Sequence, residues 1–357
     1  MERERTMTAT AESTALAETV RRMLERVAPA TSLVHEDGLD ALLRRVDAAL
    51  DDEIGLAGLL VPESQGGLGG ELSDAATVAT ELGRACAPSR FVTATVLAGP
   101  LLADVGHAGP FGAACLVVPW GTAPGELLPR LVVVDGLVSG SVRSVAGVGD
   151  GPLVLPVTVD GETAVAIVSA DAPGVGLAPV TSLDTTRPLT DVTLDGVAVQ
   201  VLATGRRAVD ALDAGLERAA VALAAEQVGL ASWCLSTTVD HVQQRRQFGR
   251  LLGSFQALKH RLATLWIEVD SASVAAEAAA TTTSDRAVLA SAAQSMCSEV
   301  ALHAAEECIQ MLGGIGMTWE HPAHLYLKRA LVDLNALGTP EQHRRRLATL
   351  VDLPPAG

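Results

Sequence analysis

Aromatic side chains are scarce in this chain: 3% of 357 residues, with one tyrosine, four phenylalanines and four tryptophans. A core built on packed rings is therefore excluded. Basic charge is short as well. Against 42 Asp and Glu stand 26 Lys and Arg, for a formal net charge of −16. That balance argues against a nucleic-acid partner and against an anionic membrane surface. Cysteine is limited to Cys86, Cys115, Cys234, Cys297 and Cys308, an odd number with no C-x-x-C pair. Free buried thiols in a reducing cytoplasm are expected, with no metal site. The first residues, MERERTMTATAEST, carry charge without an apolar core, so no secretory signal is expected. No apolar run is read as long enough to span a membrane; Ala219–Leu235 is interrupted by Glu226. There is no internal repeat.

What the chain holds instead is Ala, Val and Leu. Hydrophobic residues make up 48% and mean hydropathy is +0.31, enough for a sizeable core. Ala and Leu favour helices, and Ala lets helices pack closely. Residues 1–110 read as an N-terminal helical domain. Leu16, Val20, Met23, Leu24 and Val27 recur at helical spacing, and Pro29 stops the run. A second helix is predicted from Leu39 to Leu50, and a third runs through Leu82 with Ser73 as its cap. Between these two, GLAGLLVPESQGGLGG (residues 55–70) reads as a loop. Residues 111–204 change character. CLVVP, RLVVVDG, GPLVLPVTVDG, TAVAIVSA and DVTLDGVAV are short Val-rich runs punctuated by Asp-Gly, Gly-Asp and Pro-Gly, so a small central β-barrel domain is expected. Residues 205–357 return to helices, at about 208–244, 254–281, 285–312, 322–337 and 340–351, with Ser284 as the cap of the third. The fold class is α+β, mostly α, ending in a helical bundle.

Two stretches of the bundle carry motifs. Arg245–His260 reads RRQFGRLLGSFQALKH, an R-x-x-F-G…G-x-F-Q string whose glycines imply a bend between helices. An arginine at a helix end beside an aromatic ring suits a phosphate and a flat ligand edge. It equally suits the helix dipole, with Phe248 and Phe255 in the core. Gln310–Arg329 reads QMLGGIGMTWEHPAHLYLKR, in which a helix ends at Gly313-Gly314 and Gly316 permits a close backbone approach. Taken together and in this order, the two stretches resemble the acyl-CoA dehydrogenase family. The resemblance covers nearly the whole chain, including residues 55–70, which match a family loop bordering the acyl pocket. It implies an FAD-dependent enzyme that oxidises an acyl-CoA thioester to the 2-enoyl-CoA. Electrons would pass to an electron-transfer flavoprotein or another acceptor.

The resemblance assigns Arg245, Phe248 and Gln256 to the pyrophosphate and adenosine end of FAD, together with Gln310, Gly313 and Gly314. In the family this set reaches the flavin of a neighbouring subunit. Thr339 matches a further flavin contact, while Glu341 replaces the amide of a T-x-Q motif. In the family reaction a carboxylate removes the α-proton as the flavin takes the β-hydride, and hydrogen bonds to the thioester oxygen stabilise the developing charge. Here the chain departs from the pattern. The family's Y-E-G-T reads Ala336-Leu337-Gly338-Thr339, so Leu337 holds the base position and cannot take a proton. A second family position for the base falls on Ala219. Glu217 is off that face, and Glu226 lies two turns on, about 10 Å along the helix. Both read as structural or solvated acids, and Glu226 is the candidate base only if the chain carries one of its own. The stretch expected to hold the flavin ring and thioester is replaced by VVPWGTAPGELLPR, with Pro119 and Gly121 as the matching remnants. His321 and His324 flank Pro322 with no third ligand in view, and Trp319 and Glu320 read as packing and capping residues.

Three readings follow. The chain is the subunit of a heteromeric acyl-CoA dehydrogenase that completes a partner's flavin site, as in an α2β2 assembly with a longer family chain. Alternatively it is a homo-oligomeric enzyme with its own base, or a flavin-free assembly protein of the same fold. A cytoplasmic location is expected in each case.

Overall fold

The computed structural model describes residues 2–29, 33, 39–107, 111, 113–128 and 131–353. Helix α1 (Glu2–Val27) ends ahead of Pro29 and buries Val20, Met23 and Leu24. Helix α2 (Leu39–Ala48) buries Leu42, Leu43 and Val46, the predicted face. Helix α3 (Leu72–Arg84) begins one residue before Ser73, because Asp74 accepts from the Glu71 N–H at 2.8 Å and does the capping. A π-helical turn, Phe91–Ala98, leads into α4 (Gly99–Asp104).

The strands are β1 (Cys115–Leu116), β2 (Leu131–Val134), β3 (Leu137–Ala146), β4 (Leu153–Val159), β5 (Glu162–Val168), β6 (Val175–Val180), β7 (Leu189–Ala198) and β8 (Gln200–Thr204). They form one sheet in the order β6-β7-β3-β2-β4-β5-β8, with β1 beside β4. The expected barrel is not closed: among the described residues β6 and β8 are open ends of that path. The reason lies at β2, which pairs two residues with β3 in one direction and two with β4 in the other. A joint that short bends two half-sheets against each other without the continuous staggered ladder that closure requires. Alternate residues of the strands fill a separate small core around Val142, Leu155 and Val192.

The bundle comprises α5 (Gly205–Gln244), α6 (Gln256–Thr281), α7 (Arg286–Leu312), α8 (Ala323–Asp333) and α9 (Pro340–Leu350). Between α5 and α6 lies a hairpin of β9 (Arg246–Gln247) and β10 (Arg250–Leu251). Helix α7 is preceded by Asp285 in a left-handed conformation, and neither it nor Ser284 provides the expected side-chain cap. Helix α5 is long and apolar enough to cross a membrane by length and composition, contrary to the expectation that no segment reaches that length, but 83% of its apolar window is buried in the protein. It packs on α3 through two glycines. A Cβ on Gly83 would sit 1.9 Å from the Glu226 carbonyl oxygen, and one on Gly229 would sit 1.9 Å from that of Thr80. Backbone contact this close fixes where Glu226 enters the core. All five cysteines are free and buried.

Candidate functional site

The first motif forms an exposed corner. Helix α5 stops at Gln244, and Arg245 turns to an extended conformation. Phe248 (φ 51°) and Gly249 (φ 76°) form the turn of the β9–β10 hairpin, both left-handed as a two-residue hairpin of the primed type requires. Glycine takes that conformation freely; phenylalanine does so against its Cβ. Phe248 is nonetheless 89% exposed, so the alternative that placed it in the core is corrected. Its ring meets Phe255 edge-on at 6.2 Å, and the Arg250 guanidinium lies 3.8 Å from the Phe255 centroid. No carboxylate pairs with Arg245, Arg246 or Arg250 among the described residues. On a chain this acidic, three unneutralised arginines around one hairpin form a local anion-attracting corner.

The second motif arrives at the same place. The ion pair Arg261–Glu307 at 2.5 Å and the hydrogen bond between His303 and Glu268 at 2.6 Å set the antiparallel register of α6 and α7. That register puts Gln256, at the start of α6, at the end where α7 delivers Gln310, Gly313 and Gly314. All four are exposed, and a Cβ on either glycine would meet nothing within 4 Å. The backbone there is open to a flat or phosphorylated ligand. Trp319 is 72% exposed, with Lys328 stacked 4.4 Å from its ring, so it is a surface residue rather than packing. His321 lies by Trp233 and His324 edges on Trp319. Burial holds both imidazoles below their ordinary range, helped by His241 and Lys328 respectively. Among the described residues no group of three His, Cys, Asp or Glu is placed to hold a metal ion.

Leu337, which the resemblance matches to the family's base, lies in a closed position. Leu337 is 1% exposed and left-handed at φ 52°. Its N–H donates to the Trp120 carbonyl at 2.8 Å, and its own carbonyl accepts from His343 Nε2 at 2.9 Å. One turn back, Gln294 donates to the Ala336 carbonyl and Gln227 to that of Asp333, each at 3.2 Å. Trp120, from the stretch where the family holds flavin and thioester, is buried beneath the Arg187 guanidinium, 5.0 Å from its ring. Thr339 spends its hydroxyl oxygen capping α9, accepting from the Gln342 N–H, while Glu341 pairs with Arg345 on the surface. Burial, and then Arg346, hold His343 down at about 4 even though its bond to Leu337 opposes this.

Neither glutamate of α5 is free. Glu217 pairs with Arg346 of α9. Glu226 is 3% exposed and accepts from both Arg187 and Arg329. Arg329 also donates to Asp184 at 2.6 Å and to Thr186 Oγ1 at 2.5 Å. Asp333 completes this cluster 3.5 Å from Arg187. Sequence reasoning missed it. Asp184, Thr186 and Arg187 sit in the β6–β7 loop, Glu226 on α5, and Arg329 and Asp333 on α8. The one available signal was the four-residue spacing of Arg329 and Asp333, which puts both on one helix face.

Comparison with known proteins agrees with the architecture. The acyl-CoA dehydrogenase N-terminal domain pattern matches residues 10–108 and the C-terminal domain pattern residues 208–351. Acyl-CoA dehydrogenase IpdE2 of Mycobacterium tuberculosis is 37% identical over 351 residues, 97% of this chain and 99% of that protein. Among solved structures, the ChsE4-ChsE5 complex from Mycobacterium tuberculosis superposes with a TM-score of 0.85 at 24% identity, over 96% of this chain and 98% of that one. A variant of the Tcur3481-Tcur3483 steroid ACAD gives 0.80 at 27% identity, over 96% and 98%. The chain belongs to the acyl-CoA dehydrogenase family, whose members are FAD-dependent oxidoreductases.

Proposed function

We propose that this chain is the supporting subunit of a heteromeric acyl-CoA dehydrogenase, completing a partner's flavin site while its own base position stays closed. One contrast carries the reading. Arg245, Phe248, Gln256, Gln310, Gly313 and Gly314 are all exposed, whereas Leu337 is apolar, 1% exposed and bonded to Trp120. The exposed set fits the far end of FAD: an unpaired guanidinium for the pyrophosphate, aromatic edges and open glycine backbone for the adenosine. The closed set offers no base of the chain's own: Leu337 is apolar and bonded to the Trp120 carbonyl, Trp120 lies under Arg187, and the Thr339 hydroxyl oxygen accepts the capping bond of α9. Bound FAD would accept the substrate's β-hydride. The α-proton would go to a carboxylate of the longer partner chain, and the electrons to an electron-transfer flavoprotein or another acceptor. Glu226, committed to two arginines, is assigned a structural role. The same reading divides the chain near residues 110 and 204 and places it in the cytoplasm.

The test is dye-coupled oxidation of a panel of acyl-CoA thioesters, by the purified chain and by the chain co-expressed with a longer family member. Turnover is expected from the pair and not from the chain alone. Robust turnover by the lone chain would overturn the assignment in favour of a self-sufficient enzyme.

A further inference from the structure

The buried cluster that joins the β6–β7 loop to α5 and α8 has an unbalanced charge count. It contains two guanidiniums, Arg187 and Arg329, and three carboxylates, Asp184, Glu226 and Asp333, each no more than 4% exposed. The other groups facing it are neutral: the Thr186 hydroxyl, the Gln227 amide, the Trp120 ring and the Cys86 thiol, which burial pushes up to about 12. A net negative charge sealed from water is strongly unfavourable unless it binds a proton. The three carboxylates differ in their hydrogen bonds. Asp184 accepts from Arg329 at 2.6 Å and from the Thr186 N–H at 2.9 Å. Glu226 accepts from both arginines. Among the described residues neither oxygen of Asp333 has a hydrogen-bond partner, and its nearest cation, Arg187 Nε, stays at 3.5 Å.

We propose that Asp333 is the proton-holding residue of an interdomain clasp: the β6–β7 loop seats on α5 and α8 with one bound proton, and losing that proton loosens the seat. Burial supports this by pushing the Asp333 carboxyl up to about 7, against the pull of Arg187. The sign follows from linkage. A carboxyl raised above its unfolded value of about 3.9 stabilises the fold fully below that pH. The contribution falls as pH rises and is gone once pH passes about 7. His343 carries an opposite slope over much of this range, so the quantity to read is the difference between wild type and a variant.

The experiment is urea unfolding of the full chain, in the assembly in which it purifies, at pH values from about 5 to 9 for wild type and Asp333→Asn. Asparagine keeps the shape of a neutral aspartic acid and cannot ionise. At pH 8 the variant should be at least as stable as wild type. Between about pH 5 and 7 the ratio of the two unfolding constants should move in favour of wild type by up to tenfold for each unit of acidification. A variant that is weaker than wild type, most of all at pH 8, would mean that Asp333 works as an ionised partner of Arg187 and would overturn the proposal, as would a ratio that does not move with pH. Infrared titration of the Asp51→Asn, Asp213→Asn background, which removes two other raised carboxyls, provides a second reading that does not need the Asp333 variant to fold. A protonated-carboxyl band lost near pH 7 is expected, and its absence at pH 6 would refute the assignment.

Discussion

Phe248 and Leu337 are both apolar and both held in the left-handed region, at φ 51° and 52°, yet one is 89% exposed and the other 1%. Each conformation costs on the order of 1–2 kcal/mol for a residue with a Cβ. Around Leu337 the cost is offset locally, by bonds to Trp120 and His343 and by the two glutamines that pin the turn before it. Around Phe248, among the described residues, only a two-residue hairpin and the edge of Phe255 are available. On the proposed reading, a strained aromatic beside arginines that pair with no carboxylate among the described residues gains from a ligand; a core that keeps a strained leucine has only to keep its shape. The comparison teaches that a strained backbone is kept in two ways, by dense packing in a core and by a tight hairpin at the surface.

Substitutions should separate the two regions. The largest effect belongs to the closed one. Arg329→Met removes the cation that Asp184 and Glu226 share, so urea unfolding should show a loss of about 3–5 kcal/mol or failure to fold, from stranded buried carboxylates. A loss under about 1 kcal/mol would break the picture of a sealed cluster. Acid should act on the same side. With His343 held at about 4 in the fold, its contribution is present above the unfolded value of about 6.5 and lost as pH falls through about 4. His343→Gln, which can still donate to the Leu337 carbonyl, should therefore flatten the stability profile in that window by on the order of 3 kcal/mol. Thermal unfolding scanned against pH measures this.

The exposed region should respond in binding and not in stability. Arg245→Ala is expected to weaken flavin retention by the assembled pair by about 1.5–3 kcal/mol, the worth of a charge-assisted bond to a phosphate. The isolated chain should unfold within about 0.5 kcal/mol of wild type. Flavin absorbance per protein and a urea curve give both numbers, and unchanged flavin content would remove Arg245 from the site. The smallest effect sharpens the reading of Thr339. Thr339→Val should cost about 1 kcal/mol through the lost cap of α9 with no change in flavin content; flavin loss in that variant would show that the hydroxyl still reaches the cofactor.

Much of this molecule was legible before folding. Apolar periodicity located α1, α2 and the long bundle helices, because helix burial repeats in the chain itself. Val-rich runs located the strands, but not that β2 would be a two-residue joint leaving the sheet open, since pairing partners are chosen across the chain. The glycines of α3 and α5 were visible as letters; that Gly83 and Gly229 lie against carbonyls of the opposite helix was not.

For the site, local sequence by itself determined one thing: Leu337, which matches the family's base position, cannot take a proton in any fold. It also supplied the two motif stretches, while their exposure and their meeting at the matched ends of α6 and α7 were decided by the fold. Tertiary structure alone decided the fate of Glu226. As a carboxylate on an apolar helix it had two readings, and the choice rests on arginines 39 residues before it and 103 after it. The charge count that leaves one proton on Asp333 was likewise decided by the fold, because a buried charge is balanced by whatever the fold brings within a few ångströms, and sequence distance has no bearing on that sum.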